Sequence, residues 1–118
     1  MGRSIVGQCG SLITKTLFTK GNDSKQFVIV DAGMTELMRP ALYNSVHKIQ
    51  NLSSTKPHKM YEVVGPICES TCKFGIYKNY QKIKENDYVA ITNAGAYGAS
   101  LSSNYNTRPL VAEILVNK

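Results

Sequence analysis

The chain has 118 residues, 42% hydrophobic and 19% charged, and its 14 Lys and Arg against 8 Asp and Glu leave a formal charge of +6. That is the composition of one ordinary globular domain with a modest core. The basic residues are scattered, with only Lys73, Lys78, Lys82 and Lys84 approaching a cluster, so the charge reads as a solvated lysine face and excludes a nucleic-acid footprint.

No apolar run approaches the roughly 20 residues that cross a bilayer. Met1-Gly2-Arg3-Ser4 leads into no signal-peptide core before Gly7-Gln8-Cys9-Gly10, so a soluble, cytoplasmic protein with no membrane contact is expected. In chain order, a short helix is predicted over residues 4–9, with Cys9 packed as a small apolar residue among Ile5 and Val6. Residues 12–19 and 27–30 are rich in β-branched and aromatic side chains, and Gly21-Asn22-Asp23-Ser24 supplies turn chemistry between them. An antiparallel hairpin over 12–30 follows.

A second helix is predicted over 35–42, capped by Thr35 and disturbed in register by Pro40. On a helical turn Arg39 and Tyr43 share a face and can clamp a carboxylate, Arg39 by a bidentate pair and Tyr43 through its hydroxyl. Taken singly, each has a commoner explanation as a surface ion pair or a half-buried aromatic. Residues 51–59, with Ser53-Ser54-Thr55 and Pro57, read as an exposed loop. A strand is predicted over 61–64, and Val64-Gly65-Pro66-Ile67-Cys68-Glu69-Ser70 then sets a thiol and a carboxylate in a loop that Gly and Pro stiffen.

Residues 71–80 read as turn and strand of uncertain geometry, and Tyr77, Tyr80 and Tyr88 match no base-stacking signature. After the turn Glu85-Asn86-Asp87, a strand is predicted over 88–92 and a last one over 111–116. Between them Gly95-Ala96-Tyr97-Gly98 lets backbone approach a ligand closely and leaves the Tyr97 phenol free to bond. The class is all-β or β-rich with short helices, as a barrel or a sandwich. The 3 cysteines argue for reduced thiols. Cys68 and Cys72 are followed by no second pair at ligand spacing, and His47 and His58 are isolated, so no metal site is expected.

Taken together and in this order, Asp31-Ala32-Gly33-Met34, Arg39-Pro40-Ala41-Leu42-Tyr43, the Cys68-Glu69-Ser70 loop and Asn93-Ala94-Gly95-Ala96-Tyr97-Gly98 resemble the carboxy-terminal domain of the diaminopimelate decarboxylases. These are fold-type III enzymes that use pyridoxal 5'-phosphate (PLP), and the resemblance spans nearly the whole chain. It implies a Greek-key β-barrel domain over residues 1–118, preceded in the family by an α/β barrel whose lysine carries PLP. That lysine has no counterpart here. Only Gly2-Arg3 remains of a Glu-Pro-Gly-Arg junction motif, which reads as a shortened piece of a longer enzyme or a gene remnant, inactive by itself.

The resemblance also implies roles. Cys68 is the proton donor after decarboxylation, and Glu69, Arg3, Arg39, Tyr43 and Tyr97 contact substrate. Gly2, Arg3 and Tyr97 contact PLP. A homodimer is implied, with Cys68 and Glu69 serving the opposite subunit. Asn93 departs from the Asp that most relatives carry, and residues 71–80 lack the acidic character expected after Cys-Glu-Ser. The expected activity is conversion of meso-diaminopimelate to L-lysine and carbon dioxide. A sister decarboxylase of the ornithine or arginine type and a non-catalytic dimerising remnant or regulatory module are the alternatives, and the Arg39–Tyr43 clamp together with Glu69 speaks against the former, whose substrate has no distal carboxylate.

Overall fold

The computed structural model describes residues 1–22, 25–54, 60–78 and 80–117. Strands β1 (Leu12–Gly21), β2 (Gln26–Val30), β3 (Ile49–Asn51), β4 (Tyr61–Val64), β5 (Lys73–Tyr77) and β6 (Tyr88–Ile91) form one mixed six-stranded sheet in the order β3-β6-β1-β2-β4-β5. Short helices α1 (Gly2–Val6) and α2 (Arg39–Tyr43) and 3₁₀ turns at Gly7–Cys9, Ala99–Leu101 and Tyr105–Thr107 flank it. The β-rich class with short helices expected from the sequence is the one observed.

Strand β1 belongs to both halves of the sheet. Leu12 to Lys15 pair antiparallel with β6, whereas Thr16 to Gly21 pair antiparallel with β2, and the register shifts between Thr16 and Phe18. Such a bulge bends a strand and increases its twist, which lets the sheet curl. The inner face is filled by alternate residues: Val28 and Val30 from β2, Tyr61 and Val63 from β4, and Val89 and Ile91 from β6, with Leu37 and Phe74 closing over them. The curl brings the sheet's edges within reach of each other. Tyr77 on β5 donates its hydroxyl at 2.7 Å to the carbonyl of His47, just ahead of β3.

The hairpin over 12–30 forms as expected, closed by Asn22 N–H to the Lys25 carbonyl and Lys25 N–H to the Asn22 side chain, both at 3.0 Å. The Asp23-Ser24 part of its predicted turn lies outside the described residues. The second helix is shorter than predicted and starts later, with Met38 at its N-cap and Pro40 in its first turn. Proline lacks the N–H that a first turn leaves unbonded, so it opens this helix. Thr35 caps nothing. Its hydroxyl donates to Glu36 at 2.7 Å.

Other expectations are corrected by burial and by available partners. Asn51, assigned to an exposed loop, is 3% exposed inside β3. Its amide donates to the Lys82 carbonyl and the Asp87 carboxylate, and its oxygen accepts from Ser53 and Ser54. Residues 55–59 of that predicted loop lie outside the described residues. Cys9 is exposed at the end of the 3₁₀ turn Gly7–Cys9, where only Gly7 is buried, and Ile5 and Val6, its expected packing neighbours, lie on the exposed α1. Residues 111–116 form no strand. They have no ladder partner, and Ile114, Leu115 and Val116 are more than 80% exposed. A β-prone segment becomes a strand only where an edge accepts it.

Burial, with a smaller push from Tyr80, raises the Tyr77 pKa well above its ordinary value near 10. The folded state therefore keeps this proton where the unfolded chain releases it, so the stabilisation is complete below about pH 10 and declines as pH rises further. Tyr77→Phe is expected to lose about 1 kcal/mol at pH 7, the worth of the hydrogen bond to His47, and to show a shallower decline above pH 10. Urea unfolding at both pH values checks this.

Candidate functional site

The site rests on the segment that leaves β2. Asp31 accepts from the Thr14 hydroxyl at 2.5 Å and from Lys15 N–H at 2.9 Å, which ties the segment to β1. Glu36, only 9% exposed, then gathers the turn around itself. One of its oxygens accepts from Gly33 N–H and the Thr35 hydroxyl, both at 2.7 Å, and the other meets Arg108 Nε at 3.2 Å. Arg108 also donates to the Asp31 carbonyl. A buried carboxylate requires such a complete set of donors. Held this way, the turn leaves Met34 and Met38 half-buried and delivers the chain into α2.

The loop that follows β4 packs against the same turn. A Cβ on Gly65 would lie 2.6 Å from Cys72 Sγ, 2.6 Å from Gly33 Cα and 2.8 Å from the Ala32 carbonyl oxygen, so only glycine fits. Cys72 is wedged there, 4% exposed, with Met34 N–H directed at its sulfur at 3.4 Å. The loop turns back through Cys72 N–H to the Glu69 carbonyl at 3.0 Å and Gly65 N–H to the Cys72 carbonyl at 2.9 Å. Cys68 and Glu69 stand at its exposed tip. Thus one of two thiols in a short loop is sealed in packing and the other is free.

The remaining sequence-predicted residues form two further pairs. On α2 the Arg39 guanidinium lies 5.3 Å from the centre of the Tyr43 ring and donates to the Ser45 hydroxyl at 3.1 Å. Arg3 on α1 lies 5.7 Å from the Tyr97 ring centre. This second pair depends on the loop after β6, where Gly95 abuts the Val6 carbonyl and Gly10 so closely that a side chain is excluded. Asn93 and Tyr97 both adopt left-handed backbone, at φ 59° and 63°. Asparagine tolerates that conformation well, which suits Asn93 to its place. Gly2 opens α1 with no atom within 4 Å of where a Cβ would stand. Among the described residues no hydrogen bond or ion pair joins one of these three groups to another.

A pocket of about 180 Å³ lies beside the Cys68-Glu69 tip, lined by Met34, Thr35, Met38, Glu69, Ser103 and Tyr105. The Tyr105 hydroxyl donates to Glu69 Oε1 at 3.1 Å. That bond and the Glu69 charge raise the Tyr105 pKa, and the nearby Cys68 adds a smaller push. The sequence reading missed Ser103, Tyr105, Arg108 and Glu36, since Ser103-Asn104-Tyr105 carries no motif spacing and these residues meet only across long sequence separations. Among the described residues no group of three His, Cys, Asp or Glu could hold a metal ion, and no helix is long and apolar enough to cross a membrane.

Comparison with known proteins places these features. Residues 5–95 match the family model described as "Pyridoxal-dependent decarboxylase, C-terminal sheet domain". A diaminopimelate decarboxylase from Bacteroides thetaiotaomicron is 52% identical over 110 residues, covering 93% of this chain and 28% of that protein. One from Aquifex aeolicus is 44% identical over 116 residues, covering 98% of this chain and 28% of that protein. Among solved structures, the diaminopimelate decarboxylase from Helicobacter pylori complexed with L-lysine superposes with a TM-score of 0.80 at 43% identity, over 91% of this chain and 26% of that one. The chain thus spans just over a quarter of the length of the relatives it matches.

Gly65→Ala is expected to destabilise the domain by about 3 kcal/mol or more, as overpacking against backbone does. It should also render Cys72 reactive to a thiol reagent in the folded protein. Denaturant titration and timed thiol labelling measure the two effects.

Proposed function

Since the chain belongs to the family of C-terminal sheet domains of pyridoxal-dependent decarboxylases, we propose that it supplies substrate-binding and proton-donating residues to an enzyme that decarboxylates meso-diaminopimelate to L-lysine. The observation that carries this reading is the contrast between the two thiols of one loop, Cys72 sealed and Cys68 exposed beside Glu69. A thiol held outward on a stiff loop next to a carboxylate suits proton delivery, whereas a merely structural cysteine would be buried.

The residues present fit PLP. Arg3 and Tyr97 stand side by side and exposed, offering a guanidinium and a phenol, the donor set a phosphate takes, and Gly2 leaves open space beside them. When bound, PLP supplies the electron sink for the pair left by the departing carboxylate. Arg39 and Tyr43 would hold the distal carboxylate, and the Arg39–Ser45 hydrogen bond keeps the guanidinium on that face. Glu69 would receive the distal ammonium. The Cys68 thiol would then give its proton to the carbon that has lost carbon dioxide, and the thiolate regains a proton from solvent.

Among the described residues no hydrogen bond or ion pair joins Cys68 or Glu69 to Arg3, Arg39, Tyr43 or Tyr97, which suits a homodimer in which Cys68 and Glu69 of one copy complete the site built on those four residues of the other. Three free cysteines suit a reducing cytoplasm. The relatives are about 3.6 times longer than the segment they share with this chain, by the 28% coverage, so the cofactor-holding lysine is assigned to an α/β barrel outside it. An ornithine- or arginine-type substrate would leave Arg39 without a carboxylate to clamp.

The test is carbon dioxide release from meso-diaminopimelate with added PLP, comparing this chain alone with the same domain joined to its barrel. Activity is expected only with the barrel, and Cys68→Ala should lower kcat about 10²- to 10⁴-fold. Full activity in Cys68→Ala would remove the thiol from the mechanism. No turnover in the joined enzyme would favour a dimerising or regulatory module.

A further inference from the structure

Residues 103–108 are fastened at both ends and strained between. Ser103 N–H donates to the Thr35 carbonyl at 2.9 Å, and Arg108 pairs with Glu36 at 3.2 Å. Between these anchors Asn106 and Thr107 both lie at φ 57°. Asparagine adopts left-handed backbone readily, but a β-branched threonine is an outlier there and persists only when the surroundings dictate it. Beside them stands Tyr105, a residue 49% exposed whose hydroxyl nonetheless reaches Glu69 at 3.1 Å. A tyrosine recruited merely for packing would bury its ring. Among the described residues the Tyr105 hydroxyl is directed at Glu69, the proposed ammonium acceptor, at the rim of the pocket lined by Met34 and Met38.

We infer that Tyr105 is a positioning residue: its hydroxyl occupies one oxygen of Glu69 and so turns the other toward the ammonium group of a bound amino-acid substrate, with the Met34–Met38 wall beside the substrate's methylenes. The inference rests on the reading of Glu69 as an ammonium acceptor. The hydrogen bond restricts the glutamate's rotamers before substrate arrives, so less entropy is lost on binding. Because Glu69 holds the substrate's far end before and during the reaction alike, the loss of Tyr105 should weaken binding uniformly. A phenol is protonated through the neutral range in any case, and the Glu69 hydrogen bond and charge raise the Tyr105 pKa further, so the hydroxyl is a donor there.

The test uses the complete enzyme carrying this domain. Tyr105→Phe keeps the exposed ring and removes only the hydroxyl. It is expected to raise KM for meso-diaminopimelate about tenfold, in keeping with a hydrogen bond to a charged group, with kcat changed less than about twofold. Added to Glu69→Gln, it should raise KM no more than about twofold further, as expected when both changes disrupt one interaction. Independently of turnover, ¹³C-tyrosine NMR should show the Tyr105 titration moving down toward its ordinary value in Glu69→Gln. An unchanged KM in Tyr105→Phe, effects that multiply fully in the double variant, or a Tyr105 titration indifferent to Glu69→Gln would each overturn the inference. Absence of turnover in the unsubstituted enzyme would instead overturn the functional reading, and this inference with it.

Discussion

Strand β1 is shared between two ladders, and the placement of every other element follows from that division. Its first residues are hydrogen-bonded to β6 and its last to β2, with the bulge at Leu17 between them. A straight strand would give a flat sheet with two remote edges. The bend instead turns the β3–β6 half over the β2–β4–β5 half, so that the apolar residues of both face a common interior. Because one strand serves both halves, distortion of β1 would open the whole core, whereas loss of an outer strand would expose one edge. The Tyr77–His47 hydrogen bond then fastens those edges, using a phenol whose ring packs tilted by 58° against Tyr80, with centroids 5.3 Å apart.

The same strand anchors the chemistry. Thr14 and Lys15 bind Asp31, Asp31 fixes the turn that ends at α2, and Glu36 gathers that turn together with Arg108 from the far end of the domain. The Cys68-Glu69 loop packs on this turn through Gly33, Gly65 and Cys72, where the absence of two side chains makes room for one sulfur. Buried polar groups with full hydrogen bonding are rigid, since each partner is costly to leave unpaired. The exposed residues of the site therefore stand on a well-determined base. That division of labour is the general requirement for a site whose groups must hold geometry without being buried.

The sequence showed the strands best where a β-prone run was long or flanked by turn residues, as at 12–19, 27–30, 61–64 and 88–92. It failed at Asn51, whose polar side chain suggests a loop until the Lys82 carbonyl and Asp87 are seen to satisfy it. The apolar run at 111–116 failed in the opposite sense, since propensity says nothing of whether a neighbouring edge is free. The motifs carrying Arg39, Cys68, Glu69 and Tyr97 were legible because each is contiguous in sequence. Tyr105 and Arg108 were not, since their partners lie 36 and 72 residues away.

The sequence by itself determined the class of the domain, its main strands and the identity of the chemical groups, because propensity, turn chemistry and short motifs are local properties of the chain. Only the tertiary structure decided that Cys72 is sealed while Cys68 is free, that Pro40 starts its helix, and that Tyr105 reaches Glu69. Burial and hydrogen-bond partnership are properties of what surrounds a residue, and here those surroundings come from segments that meet only when β1 bends.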